Sequence, residues 1–229
     1  GALDLAYGDQ ISGEICPPGD VDYYRFSGSA GDRIVVDIDA HAAGSALDAV
    51  LHLLDADGAS PLAFHDDELL GVLFDPHLGY RLPRDGDYYL KLLAWDHPGA
   101  GGNGYGYDLS LFTDETPPAA AFSLPETGAS LPMQVTVQAD VGDEGSGISH
   151  VEFFWHSGDW LNADWVNLGS DWSGEDGWSM TFTAAAEQEG AAFFIRAYDW
   201  AGNCTGAGSW NLALSSMPGR PFYLPMISR

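Results

Sequence analysis

Between Ala63 and Leu70 the chain reads AFHDDELL, which sets His65, Asp66, Asp67 and Glu68 side by side between apolar residues. An imidazole next to carboxylates is a pairing that general-base catalysis and metal binding both use, so this stretch is the first place to seek chemistry. A zinc hydrolase of the H-E-x-x-H kind needs two histidines one helical turn apart, and FHDDE supplies one. The chain has no G-x-S-x-G, and His41, His52, His65, His77, His97, His150 and His156 fall in no recognisable pairing. A self-contained hydrolase would need a pocket in which His65 meets Asp66 or Asp67 and a third group, and the spacing supplies no such group.

Calcium makes a different demand, several hard oxygen ligands converging in a loop. In the first half Asp48 opens a strand, Asp55 and Asp57 flank its turn, and Asp66, Asp67 and Glu68 end the next segment. DADG lacks the spacing and the distant glutamate of an EF-hand loop. Asp48, Asp66 and Asp67 are therefore either calcium ligands or acids that cap turns and keep sheet edges soluble, with capping the leading reading. The second half offers a corresponding set: Asp140, Asp143 and Glu144 in DVGDEGSG, with Asp199 and Asn203 in DWAGN.

Aromatic residues give a third kind of candidate. Seven of the eight tryptophans, all except Trp95, lie in the second half. Stacked indoles can hold sugar rings or line a peptide pocket. Trp155 follows VEFF within a strand-like run and Trp178 sits in DGW, and both read as core. Trp160, Trp165 and Trp172 lie among Asp, Asn, Gly and Ser; they are the exposed members and the ligand-binding candidates, although packing is the leading reading for the tryptophans as a group.

The elements that must position these residues are strands. Alternating runs such as DYYRFSG, DRIVVDIDA, AVLHLLDADG, GDYYLKLLAWD and GYDLSLF recur between Gly, Asp and Pro, and helical periodicity is nearly absent, so the fold class is all-β. In RIVVDIDA, Ile34, Val36 and Ile38 share one face and Val35, Asp37 and Asp39 the other. The pattern stops at TDETPPAAA, where Pro117 and Pro118 stiffen the chain. The expected organisation is a sandwich over 1–114, a Pro-rich linker at 115–120, a second sandwich over 121–216, and a tail at 217–229.

The chain has 229 residues, with 34 acidic against 8 basic and a net charge of −26. Such a surface repels phosphate backbones and anionic lipids, which argues against nucleic-acid and membrane partners. No apolar run is long enough to span a bilayer, and GALDLAYGD has no signal-peptide character. Starting without Met, the chain reads as a mature or excised portion of something longer. Cys16 and Cys204 have no metal-ligand spacing and are either a long-range disulfide or two buried thiols. NCT at Asn203–Thr205 fits a glycosylation sequon.

Taken in order, ISGEI, DVDYYRFSGSAGDRIVVDIDA, LDAVLHLLDADGASPLAFHDDE, GDYYLKLLAW and GYGYDLSL make the first half resemble a bacterial pre-peptidase C-terminal (PPC) domain, a jelly-roll-like β-sandwich appended to secreted peptidases. The second half, with DEGSGISHVEFFW, DGWSMTF and IRAYDWAGN, is similar to bacterial Ig-like or fibronectin-III-like modules. FYLPMISR resembles short C-terminal tails that serve export or attachment. These resemblances imply a non-catalytic accessory region of a secreted or cell-surface bacterial protein, a peptidase in the first instance. Its partners would be the parent catalytic domain and an extracellular protein or polysaccharide. Structural calcium is the one cofactor implied, since some PPC domains bind it. Tyr88, Leu90 and Leu92 share a face that can close the sandwich, and for an adhesion role that face and the exposed tryptophans are the places to test; a carbohydrate-binding module using exposed tryptophans is the alternative.

Overall fold

The computed structural model describes residues 1–67, 74–123, 133–156, 165–184 and 188–214, and every regular element among them is a strand. The expected tail at 217–229 lies outside the described residues. The chain divides into two compact units, Gly1–Glu115 with Trp200–Gly202, and Thr116–Asp199 with Asn203–Arg229.

In the first unit the strands are β1 (Leu3–Asp4), β2 (Asp9–Glu14), β3 (Asp22–Gly28), β4 (Arg33–Asp39), β5 (Ala49–Leu54), β6 (Pro61–His65), β7 (His77–Arg81), β8 (Gly86–Ala94) and β9 (Gly106–Thr113). They form a five-stranded sheet, β1-β3-β8-β5-β6, and a four-stranded sheet, β2-β9-β4-β7. One core lies between the sheets. Alternate residues supply it: Tyr24 and Phe26 of β3, Tyr88, Leu90 and Leu92 of β8, Ile34, Val36 and Ile38 of β4, and Leu109 and Leu111 of β9. Val35 breaks the expected alternation of exposure, for it faces away from this core, between Gly79 of β7 and Phe112 of β9, and is fully buried. At the β5–β6 turn Gly58 takes φ +65°, the left-handed conformation that an Asp-Gly turn calls for.

The polar groups of this core are satisfied by one another. Tyr88 Oη donates to the Arg84 carbonyl at 2.7 Å, and its ring stacks on Phe26 at 5.7 Å. Tyr107 of β9 donates to the Asp22 carboxylate and bonds the Tyr24 hydroxyl, which ties the two sheets together through three side chains. Burial first, then its two hydrogen-bond partners, push the Tyr107 phenol far above its ordinary range, so it stays a donor. The Tyr107 ring fits because its partner in register on β2 is Gly13; a Cβ there would fall 2.4 Å from ring atoms. Replacing Gly13 by Ala should displace the ring and lower stability by about 2 kcal/mol, as overpacking of a filled core does, measured as a lower urea midpoint with unchanged slope.

The second unit comprises β10 (Ala119–Ser123), β11 (Met133–Gly142), β12 (Ile148–His156), β13 (Val166–Asp171), β14 (Ser179–Ala184), β15 (Gln188–Asp199) and β16 (Cys204–Leu214). β10-β11-β14 and β13-β12-β15-β16 are its two sheets. β10 begins at Ala119, inside the segment expected as linker. Val135 and Val137 of β11 pack against Val151 and Phe153 of β12 and Phe193, Ile195 and Ala197 of β15, with Trp155, Trp178 and Phe182 partly buried around them. Gly174 gives the Trp178 indole its space, a Cβ there falling 2.7 Å from the ring.

Candidate functional site

The described part of AFHDDELL ends the β5–β6 hairpin, and His65 and Asp66 accept backbone N–H groups. His65, the last residue of β6, accepts the His77 N–H through Nδ1 at 3.3 Å, which requires a neutral ring with the proton on Nε2. Burial, above all, pushes its pKa down. Asp66 accepts the N–H of Asp67 at 3.0 Å. In the turn before β6, Asp57 accepts the N–H groups of Ala59 and Ser60 and the Ser60 hydroxyl, and these bonds hold its pKa down to about 2. Asp55 caps Ala56 and pairs with Arg84. Asp48 is partly buried; its carboxyl is pushed up by burial first and then by Asp67 and Asp66, which places the three in one electrostatic neighbourhood. Their oxygens do not form a set within 4.8 Å among the described residues, and Glu68 lies outside those residues.

In the second unit Asp143 accepts N–H groups from Gly145 and Gly147, at 3.0 and 2.9 Å. Asp199, at the end of β15, is buried and accepts both the N–H and the Nδ2 of Asn203, at 2.7 and 2.9 Å. Asp143 and Asp199 offer carboxylate oxygens within 4.8 Å of each other. Asp140 is not in that group; it is exposed on β11, opposite Ala121.

The side of β12 and β15 away from the core carries a third grouping. His150 of β12 lies between two parallel rings, Trp172 at 4.1 Å and 16° and Tyr198 of β15 at 4.5 Å and 8°. Both spacings are somewhat shorter than the 4.7–4.9 Å between neighbouring strands, so the rings stack in contact across the sheet. Trp172 is 63% exposed. Beside the stack, Tyr198 Oη donates to Glu152 at 3.3 Å and accepts from Arg196 at 3.1 Å. The Arg196 guanidinium pairs with Glu152 at 3.6 Å and lies over Phe154 and Phe194. Ser149 Oγ is 3.0 Å from His150 Nδ1 and 3.3 Å from the Tyr198 carbonyl, to which it donates. The Ser149 hydroxyl thus bridges the His150 ring and the backbone of β15.

Of the residues expected to bind ligands, Trp172 is exposed, Trp165 is half-buried against Phe194 and His156, and Trp160 lies outside the described residues. The face containing Tyr88 and Leu90 is not an adhesive surface. Both residues are fully buried, because strand parity turns them into the sandwich, and Tyr23 and Tyr89 face outward instead, over a surface groove of about 510 Å³. The cysteines are free and exposed, not buried thiols; Cys16 precedes Pro17 in a loop. Sequence reading missed His150, Glu152, Arg196 and Tyr198, which occupy alternate positions of HVE and RAY, on the side those strands turn away from the core.

Residues 20–94 match the family model described as the bacterial pre-peptidase C-terminal domain. The first unit carries a PPC domain. Its matched span runs from just before β3 through β8, while β1, β2 and β9 complete the sandwich outside it. A protein of Deinococcus radiodurans named "Probable subtilase-type serine protease" is 42% identical over 76 residues, 33% of this chain and 10% of that protein. The chain thus spans about a tenth of the length of the curated relative it matches. Among solved structures, the PPC domain of a Bacillus anthracis collagenase is similar at 20% identity and TM-score 0.37, covering 48% of this chain and 94% of that one. Fibronectin(III)-like modules of Clostridium thermocellum CbhA are similar at 13% identity and TM-score 0.37, covering 97% and 94%.

Beyond the PPC domain, the stack in the second unit carries a pH dependence. Burial pushes the His150 pKa below its ordinary value, with Glu152 opposing weakly; Ser149, Trp172 and Tyr198 are its other neighbours. A lowered folded-state pKa means that the unfolded chain binds the proton more readily. Its stabilising effect is therefore complete above the unfolded pKa of about 6.5 and is lost as pH falls through the folded value. His52 and His65 are shifted the same way. Thermal melts should show lower stability at pH 5 than at pH 7.5, and His150→Phe, which keeps an aromatic ring between its neighbours, should show a smaller loss.

Proposed function

We propose that this chain is a non-catalytic accessory region of a secreted bacterial peptidase, which binds substrate or a surface, spaces the catalytic domain, or supports its secretion and stability. The observation that carries the reading is the PPC match over residues 20–94. One feature supports it: the His65 ring nitrogen accepts the backbone N–H of His77 at the start of β7. The parent protease, assayed with and without this region, tests the proposal. Removal should leave kcat/KM on a small chromogenic peptide within about twofold and lower the rate on insoluble protein by about fivefold or more, the loss expected when a tethered binding module is deleted. Equal rates on both substrates would refute a binding role.

Calcium is a second reading, and it rests on Asp143 and Asp199. Two oxygens bound to one ion at about 2.4 Å are at most about 4.8 Å apart, which the separation of these carboxylates satisfies. Calcium would then fasten the β11–β12 loop to the end of β15; at Asp48, Asp66 and Asp67, whose oxygens are not gathered within 4.8 Å, it would have to draw the carboxylates together. Millimolar calcium should raise the melting temperature by several degrees over EGTA, since binding to the native state stabilises it by mass action. Asp143→Asn should abolish the rise if this pair holds the ion, and Asp48→Asn if the first group does. A shift below about one degree in the unaltered chain counts against both.

A further inference from the structure

The accessory reading leaves the ligand open, and the outer face of the β13-β12-β15-β16 sheet narrows it. We propose that this face binds a neutral glycan, with a pyranose ring stacked on the open side of Trp172. The inference rests on the accessory role and names the chemistry of its ligand.

Tryptophan is seldom left mostly bare. Trp172 has one side against His150, whose other side lies on Tyr198, so the indole is braced by two rings anchored on β12 and β15. With 63% of the residue open, the side of the indole away from His150 is available to a flat apolar partner. Bracing lowers the ordering cost of binding, which is the main way that a small contact gains affinity.

The surroundings select the partner. A pyranose has an apolar C–H face and a rim of hydroxyls, so it needs one aromatic plane and adjacent planar hydrogen-bonding groups. Tyr198 Oη, the Glu152 carboxylate and the Arg196 guanidinium stand beside the stack as one bonded group. Glu152 and Arg196 offset each other's charge, and neither end of the pair demands a charged ligand. Phe154 and Phe194 on this face are half-buried beneath the Arg196 guanidinium, so a protein partner with a large apolar surface would find an exposed indole beside a charge-capped aromatic pair, not a continuous bare patch. Sulfated or phosphorylated polymers meet a chain of net charge −26 and are repelled. Neutral glycans meet neither obstacle.

The test uses the full 229-residue chain in affinity gels containing soluble β-glucan or starch, and in depletion assays on insoluble cellulose and chitin. Retention on at least one of these polymers is expected. Trp172→Ala should weaken it by about tenfold or more, the loss seen when an aromatic stacking partner is truncated, and Trp172→Phe should keep most of it. Trp172 is exposed, so Trp172→Ala should melt within about two degrees of the unaltered chain, which separates lost binding from lost fold. Failure to bind every neutral glycan, or equal binding by Trp172→Ala, overturns the inference. If the chain instead binds insoluble protein and removing it impairs the parent protease, the glycan inference falls while the accessory reading stands. If removing it changes nothing, both fall.

Discussion

Successive side chains of a strand face opposite ways, and most of what this protein offers a partner follows from that constraint. In β8, Tyr88 and Leu90 turn inward and Tyr89 and Lys91 outward, so a one-residue change of register would exchange the core for the surface. In β12 and β15 the same rule buries Val151, Phe153, Ile195 and Ala197 and places His150, Glu152, Arg196 and Tyr198 together on the opposite side. The stack is therefore a by-product of core formation. The register that sets Phe153 beside Ile195 also sets His150 beside Tyr198, so the platform rests on the same strand pairing as the core.

A second regularity concerns the acids. Asp57, Asp75, Asp143 and Asp199 each accept two or more hydrogen bonds at a loop, most of them from backbone N–H groups. The loops of a sandwich leave such donors unpaired by any ladder, and a short ionised side chain satisfies several at once. Aspartates at turns thus contribute part of the chain's acidity.

How much of this is legible in sequence depends on the range of the interaction. Alternation in DYYRFSG and GDYYLKLLAWD, and the Asp57-Gly58 turn, are local, and they fix the all-β class and the direction of the core. The exposure of Trp172 is legible too, from its Asp and Ser neighbours. Its stacking on His150 is not: it depends on the pairing of β12 with β13 and β15, in a region where the β12–β15 register shifts between Ile148 and His150. The approach of Asp143 to Asp199 is as remote in sequence, but the acids of DVGDEGSG and DWAGN name both residues as one candidate set. His65 is the opposite case: a local cluster of His and Asp looks chemical, the missing second histidine and third group argue against it in sequence, and the backbone N–H of His77 on its nitrogen supplies the reason.

Carboxylate-capped turns also decide how the protein responds to its ionic medium. Thirty-four acids against eight bases leave an excess of like charge that the caps cannot shed, because a neutral carboxyl would accept these bonds less strongly. In dilute buffer that excess acts over tens of ångströms; at about 0.1 M salt its reach shrinks to about 10 Å. Added electrolyte therefore removes repulsion and leaves the short-range caps intact, so ordinary salt strengthens this fold where it would weaken one held by exposed ion pairs.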